Sequence, residues 1–298
     1  ISVTAFADEP QAENITSENN DTSKKVQTES DAQTENTTSA DNDASGNMQA
    51  EPDAQTEGEN EADIAPQSTT AVNGYDYSIT MVDCGRKYYS VESLKSIIDS
   101  SSQAGMHYVM LAVGNDGLRF LLDDMSLEVN GKSYTSEQVS TGIHNGNVAY
   151  NSQTDQKELT ESDMNTIMAY AYTKGVEIIP LINTPGHMDA IITCMQELGM
   201  KNVTYRTSKR TIDVTNSEAV AFTQALLQKY ITYFASKGCT LFNMGADEYG
   251  NDVNGTPHFS DLQGNGGDKY KNYIDYLNAV AKKIKDADMK PMAFNDGI

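Results

Sequence analysis

Two acids stand side by side at Asp247 and Glu248, delivered by the apolar run Leu241-Phe242-Asn243-Met244, which breaks at Gly245 and is followed by Gly250. One carboxyl to give up a proton and a second to steady charge on the same substrate is the equipment of acid–base hydrolysis. Side chains on a regular strand alternate between faces, so neighbouring acids share a pocket only if the backbone bends where the strand ends. Gly245 and Gly250 permit that bend. In isolation an Asp-Glu pair reads as a solvated turn, so its surroundings decide.

Other residues able to do chemistry occupy comparable places. Asp83 with Arg86, Asn115 with Asp116, Asn183 with His187, and Asn295 with Asp296 each follow an apolar stretch. There is no glycine-rich phosphate fingerprint after the first strand, no H-E-x-x-H and no EF-hand pattern, so neither a nucleotide cofactor nor a metal is expected. Of the four histidines, His107, His144, His187 and His258, only His187 falls at a predicted strand end. Cys84, Cys194 and Cys239 make an odd count without C-x-x-C and read as buried free thiols. A net charge of −22 with no basic patch argues against nucleic acid as a partner.

The elements that must hold these residues alternate. Strand-like runs are predicted at 77–82, 108–113, 176–182, 241–244 and 291–294. Helices are predicted at about 91–103 behind a Ser90 cap, from a Thr160–Asp163 capping box to 174, from near Met188, from Thr215 and Asn216 to 234, and over 269–286. The stretch from Gly114 to about Leu159 reads as a long excursion, a length more often functional than idle. Strands alternating with helices imply a parallel sheet. Polar residues gathered after strand C-termini favour a (β/α)8 TIM barrel, whose active site sits there, over an open doubly wound sheet, the alternative. Only five strands are visible, so a barrel truncated after about five strands is expected.

Upstream the composition changes. Residues 1–7 end in Ala5-Phe6-Ala7 and look like the remnant of a secretory signal peptide cut at an A-x-A site. Residues 8–72 hold 16 acidic residues against two lysines and no aromatic, which accounts for −14 of the net charge. Such an arm cannot bury enough apolar surface to offset chain entropy and is expected to be a disordered acidic linker. Residues 73–298 form the expected N-terminal part of a catalytic barrel. No stretch approaches the apolar length of a membrane span.

Carboxylates, one arginine, one histidine and several amides at strand ends suit a polyhydroxylated ligand and an acid that protonates a leaving oxygen. In most glycosidases the two carboxyls face each other from different strands, whereas here they are neighbours. Adjacent acids fit a mechanism in which the substrate supplies its own nucleophile.

Four motifs in order, Asp83-x-x-Arg86, Gly114-Asn115-Asp116-Gly117-Leu118-Arg119-Phe120, Asn183-Thr184-Pro185-Gly186-His187-Met188-Asp189-Ala190 and Gly245-Ala246-Asp247-Glu248-Tyr249, resemble the strand-end motifs of glycoside hydrolase family 20, the β-N-acetylhexosaminidases. The likeness runs from about 76 to the end and is strongest to surface exo-β-N-acetylglucosaminidases of Gram-positive bacteria. It implies a retaining enzyme acting on glycans with terminal β-linked N-acetylhexosamine, secreted or attached to the cell wall or cell surface. Glu248 would be the general acid and later base, and Asp247 would hold the 2-acetamido group as its oxygen attacks the anomeric carbon. Arg86 would bind sugar hydroxyls, His187 and Asp116 would support the acid, and Asp83 would brace Arg86. Asn295 and Asp296 stand where the family places further polar groups and receive no role.

One departure stands out: the chain contains no Trp, whereas the family lines its acetamido pocket with tryptophans and a tyrosine, mostly from later strands. Residues 1–298 alone are therefore expected not to close the pocket or to catalyse. Two other readings stay open. A lacto-N-biosidase of the same family would release a disaccharide. A non-catalytic glycan-binding adhesin could use the same scaffold, although an adhesin has no use for a proton donor.

Overall fold

A computed structural model describes residues 77–151, 157–250 and 268–294. The leader remnant, the acidic arm, Asn295 and Asp296 lie outside the described residues. The chain order is β1 (Ile79–Asp83), α1 (Val91–Gln103), β2 (Tyr108–Asn115), β3 (Gly117–Leu118), β4 (Leu127–Val129), β5 (Lys132–Tyr134), α2 (Ser136–Tyr150), α3 (Glu161–Thr173), β6 (Glu177–Thr184), α4 (Asp189–Glu197), α5 (Ser217–Ser236), β7 (Leu241–Gly245), α6 (Asp268–Asp286) and β8 (Lys290–Met292).

Five strands lie in the order β1-β2-β6-β7-β8, all parallel to their neighbours, with β3 turning back antiparallel on β2. Each strand pairs with its successor, and the order never reverses. A doubly wound sheet has a reversal at its switch point, whereas consecutive barrel strands do not. The sheet thus has the topology of part of a (β/α)8 barrel.

Residue alternation separates the two faces. Tyr108, Met110, Ala112, Ile179, Leu181 and Leu241 form a small cluster on the side corresponding to the barrel interior. Val109, Leu111, Val113, Ile178, Ile182 and Phe242 point into the large core shared with the helices. Period-two alternation sorts these residues, and burying each large side chain contributes about 1.5–3 kcal/mol.

Caps set the helix limits. Ser90 accepts from Ser93 N–H to start α1, and Thr160 and Asp163 close a reciprocal capping box on α3. Asn216 accepts from Glu218 and Ala219 N–H to start α5. The excursion after β2, for which no elements were expected, is largely structured. It holds the β4–β5 hairpin, turned at Asn130-Gly131, and a full helix, α2, with its own Thr135–Gln138 capping box. Gly142 and Gly146 run against helix propensity in that segment, and they are where α2 meets α4. A Cβ on Gly146 would sit 2.5 Å from Ala190 Cα, and one on Gly142 would sit 2.8 Å from Cys194 Sγ. Glycine serves close helix packing here. Cys84, Cys194 and Cys239 are buried free thiols.

Candidate active site

The strand C-termini carry a chain of amides and acids, one member from each of four neighbouring strands. Asp83 Oδ1 accepts from the Gly85 and Arg86 N–H groups, both at 3.1 Å, and its Oδ2 accepts from Asn115 Nδ2 at 2.9 Å. Asn183 Nδ2 donates to Asn115 Oδ1 at 3.3 Å, and Asn183 Oδ1 accepts from Asp247 N–H at 3.3 Å. This row ties the backbone of Asp247 to the ends of β1, β2 and β6. The Asp83 carboxylate is spent on the turn, on Asn115 and on Arg86, whose Nη1 lies 3.5 Å from Oδ2.

Asp116 is the hub of the second layer. Its Oδ2 accepts from Arg86 Nε at 2.8 Å and from Tyr150 Oη at 3.0 Å, and its Oδ1 accepts from His187 Nδ1 at 2.8 Å. Burial alone would raise the Asp116 pKa, but the His187 bond and charge, then those of Arg86, hold it well below the usual carboxylate range. Burial works against a charge on His187, yet the Asp116 carboxylate overcomes it, and the imidazole pKa stands above its ordinary value. Tyr150 is pushed up to about 12, first by burial and then by the Asp116 charge. Arg86 Nη2 lies 3.3 Å from His187 Nδ1. With its hydrogen committed to a carboxylate, Nδ1 offers no lone pair, so that contact is one of position only.

The other imidazole nitrogen is left facing the two acids. His187 Nε2 is buried and makes no hydrogen bond among the described residues, yet it lies 3.3 Å from Glu248 Oε2 and 3.7 Å from Asp247 Oδ2. Those distances fall inside ion-pair range without hydrogen-bond alignment. Both carboxyls therefore converge on one buried nitrogen. The required bend is present: Gly245, Ala246 and Glu248 have φ of 81°, 66° and 51°. A Cβ on Gly245 would lie 2.0 Å from Asn183 Oδ1, so only glycine fits there. Asp116 and His187 also occupy the left-handed region, at φ 57° and 53°. Each non-glycine residue held there costs about 1–2 kcal/mol, and such outliers gather at functional sites.

Exposure divides the set by task. The side chains of Arg86 and Glu248 are 44% and 40% exposed and Asp247 is 25% exposed, while Asp116 and His187 are at 5% and 2%. The first three can meet a ligand, whereas the last two can act only through them. All five residues singled out in the sequence, Arg86, Asp116, His187, Asp247 and Glu248, thus come together.

Three participants escaped the sequence reading. Tyr150 closes α2, a helix within the excursion after β2. Arg210 Nη2 lies 3.6 Å from Glu248 Oε2 and comes from a polar segment without periodicity. Asp189, noted only as part of a motif, opens α4, and its carboxyl is pushed up to about 6 by burial and then by the neighbouring Asp116 charge. Among the described residues, no group of three or more His, Cys, Asp or Glu side chains is placed to hold a metal ion. No described helix is long and apolar enough to cross a membrane.

The model of the glycosyl hydrolase family 20 catalytic domain matches residues 75–298. A solved structure of the tandem catalytic modules of the pneumococcal exo-β-D-N-acetylglucosaminidase StrH is 41% identical, with a TM-score of 0.70 over 74% of this chain and 53% of that one. A second StrH structure, concerned with inhibition and with N-glycan recognition and hydrolysis, is 40% identical at the same TM-score over 74% and 54%. A lacto-N-biosidase of Bifidobacterium bifidum is 29% identical over 148 residues, 47% of this chain and 13% of that protein. The chain spans about half the length of the matched StrH structures and a small part of the lacto-N-biosidase.

Proposed function

Because the chain belongs to glycosyl hydrolase family 20, we propose that its strand-end cluster hydrolyses terminal β-linked N-acetylhexosamine from glycans with retention, using the substrate's acetamido oxygen as nucleophile. The observation that carries this reading is the convergence of Asp247 and Glu248, neighbours in sequence, on the single nitrogen His187 Nε2. Two acids from one strand end that face the same imidazole suit attack from within the substrate better than an acid and a nucleophile opposed from different strands.

Glu248 gives its proton to the glycosidic oxygen as the acetamido oxygen bonds to the anomeric carbon and the aglycone departs. Asp247 accepts the acetamide N–H and balances the positive charge of the oxazolinium ring. Glu248, now a carboxylate, takes a proton from water as that water attacks the same carbon, reopening the ring and restoring the β configuration. His187 is held by Asp116 with its hydrogen on Nδ1, so Nε2 can accept from a protonated Glu248 or, as the cation, face its carboxylate. Arg86 is partly exposed; it spends its Nε–H on Asp116 and holds Nη1 3.5 Å from Asp83 Oδ2, leaving its remaining terminal N–H groups for sugar hydroxyls.

Turnover of a chromogenic β-N-acetylglucosaminide by the intact protein and by Glu248→Gln tests this directly. Loss of general acid and base is expected to lower kcat by about 10²–10⁴-fold; an undiminished rate refutes the assignment. The similarity to a lacto-N-biosidase favours a second reading, release of a disaccharide. Terminal N-acetylglucosaminide and lacto-N-bioside substrates offered side by side separate the two, and the higher identity to StrH favours the first. Such glycans lie outside the cell, which suits a protein that is exported or held at the surface.

A further inference from the structure

The Glu248 carboxyl has two cationic neighbours. His187 Nε2 approaches Oε2 at 3.3 Å, and Arg210 Nη2 approaches the same oxygen at 3.6 Å. Arg210 is not there by chance of a loose loop. Residues 203–212 fold back on themselves through a Thr204–Ile212 bridge and a Tyr205 N–H bond to Thr211 O at 3.0 Å. The same segment is fastened to both sides of the turn that carries His187: Ile212 N–H donates to Pro185 O at 3.0 Å, and Met188 N–H donates to Arg210 O at 2.8 Å. Ser208 Oγ accepts from the Arg210 and Thr211 N–H groups at 3.3 and 3.0 Å. One turn therefore fixes both groups that touch Oε2. Glu248 itself is 40% exposed and leaves its strand with φ at 51°, so little else in the described structure orients its carboxyl.

We propose that Arg210 is a positioning residue for Glu248, holding one carboxylate oxygen so that the other is presented to the departing glycosidic oxygen. The inference rests on the reading of Glu248 as the general acid. Help from an acid matters in proportion to the basicity of the leaving group. A sugar hydroxyl must be protonated as it leaves, whereas a dinitrophenolate departs without a proton. Arg210 therefore matters for the first kind of substrate and little for the second. A merely structural role would depress both alike.

The test compares intact wild type, Arg210→Ala, Arg210→Lys and Glu248→Gln on a chitobiose-type disaccharide and on the dinitrophenyl N-acetylglucosaminide. Arg210→Ala is expected to lose about 10-fold in kcat on the disaccharide and less than about 3-fold on the aryl glycoside, with KM little changed on either. Arg210→Lys, which keeps the charge, is expected to recover part of the loss. Equal losses on the two substrates, or no loss on the disaccharide, overturn the assignment while Glu248→Gln still shows leaving-group dependence. If Glu248→Gln shows none, the acid itself has been misassigned and the role of Arg210 falls with it.

Discussion

Two clusters in this protein use nearly the same parts. At the strand ends Arg86, Asp116 and His187 meet beneath Asp247 and Glu248. Beside them, behind the β1 turn, Arg119, Glu158, His144 and Asn147 form a second knot of arginine, carboxylate, histidine and amide. Arg119 is 1% exposed and gives Nε–H to Gly85 O at 3.0 Å, with Nη1 and Nη2 on Lys157 O and Asn147 O at 3.3 and 3.4 Å. Asn147 exchanges hydrogen bonds with both backbone groups of Leu118, and Glu158 accepts from Asn147 Nδ2 while facing His144 Nδ1 at 3.0 Å. Burial lowers the Arg119 pKa, and the Glu158 charge works against that shift.

The difference lies in what is left over. In the Arg119 knot the polar atoms are turned on backbone carbonyls and on one another. At the rim a buried imidazole nitrogen and two part-exposed carboxyls face a common space, and three of the residues are held in the left-handed region. Residue type does not separate scaffold from site; a buried nitrogen without a hydrogen bond and two carboxyls turned toward it do.

Variants should separate the two clusters in opposite directions. Glu248→Gln, the largest effect on rate, is expected to change stability by less than about 0.5 kcal/mol, as partly exposed substitutions usually do. Arg119→Met should do the reverse. It strips carbonyls of Gly85, Lys157 and Asn147 of their partner, and unfolding in urea is expected to show a loss of about 2–4 kcal/mol. Rates per folded molecule should stay within about 3-fold, because Arg119 touches no reacting group. If Arg119→Met proves stable but inactive, the division between the clusters is wrong.

A smaller effect concerns Asp189. Its pKa, pushed up to about 6 from an ordinary 3.8, means that the folded state prefers the proton. Below the ordinary value the acid is protonated whether folded or not and costs nothing. As pH rises toward 6, the unfolded chain ionises more readily and stability is lost. Asp189→Asn should therefore stabilise the protein at pH 8 by about 1 kcal/mol, a figure reduced for its partial exposure, and leave it unchanged near pH 3. Denaturation midpoints at the two pH values measure this.

Much of this was legible in the chain. Five strands and the α1, α3, α5 and α6 helices follow from period and caps, because their apolar stripes and Ser90, Thr160 and Asn216 obey local rules. The bend that turns Asp247 and Glu248 to one side was readable from Gly245. Helix α2 was not, because Gly142 and Gly146 answer to close packing on α4 and not to helix propensity. With α2 went Tyr150. Arg210 was illegible for another reason: its place is set by the Met188 N–H bond to its own carbonyl and by the Ile212 N–H bond to Pro185 O, contacts 22 and 27 positions apart in the chain that no local pattern announces. The Asn130-Gly131 turn, by contrast, is a plain hairpin signal that the reading passed over.

In the proposed mechanism the nucleophile belongs to the substrate, and changing it there probes that proposal without disturbing the protein. Aryl β-glucosaminides carrying acetyl, fluoroacetyl, difluoroacetyl and trifluoroacetyl groups on nitrogen weaken the carbonyl oxygen stepwise while keeping the leaving group constant. With the intact protein, kcat is expected to fall steeply along the series, by about 10²-fold or more at its end. A rate indifferent to fluorination would mean that the acetamide does not attack, and that Asp247 and Glu248 work by another route.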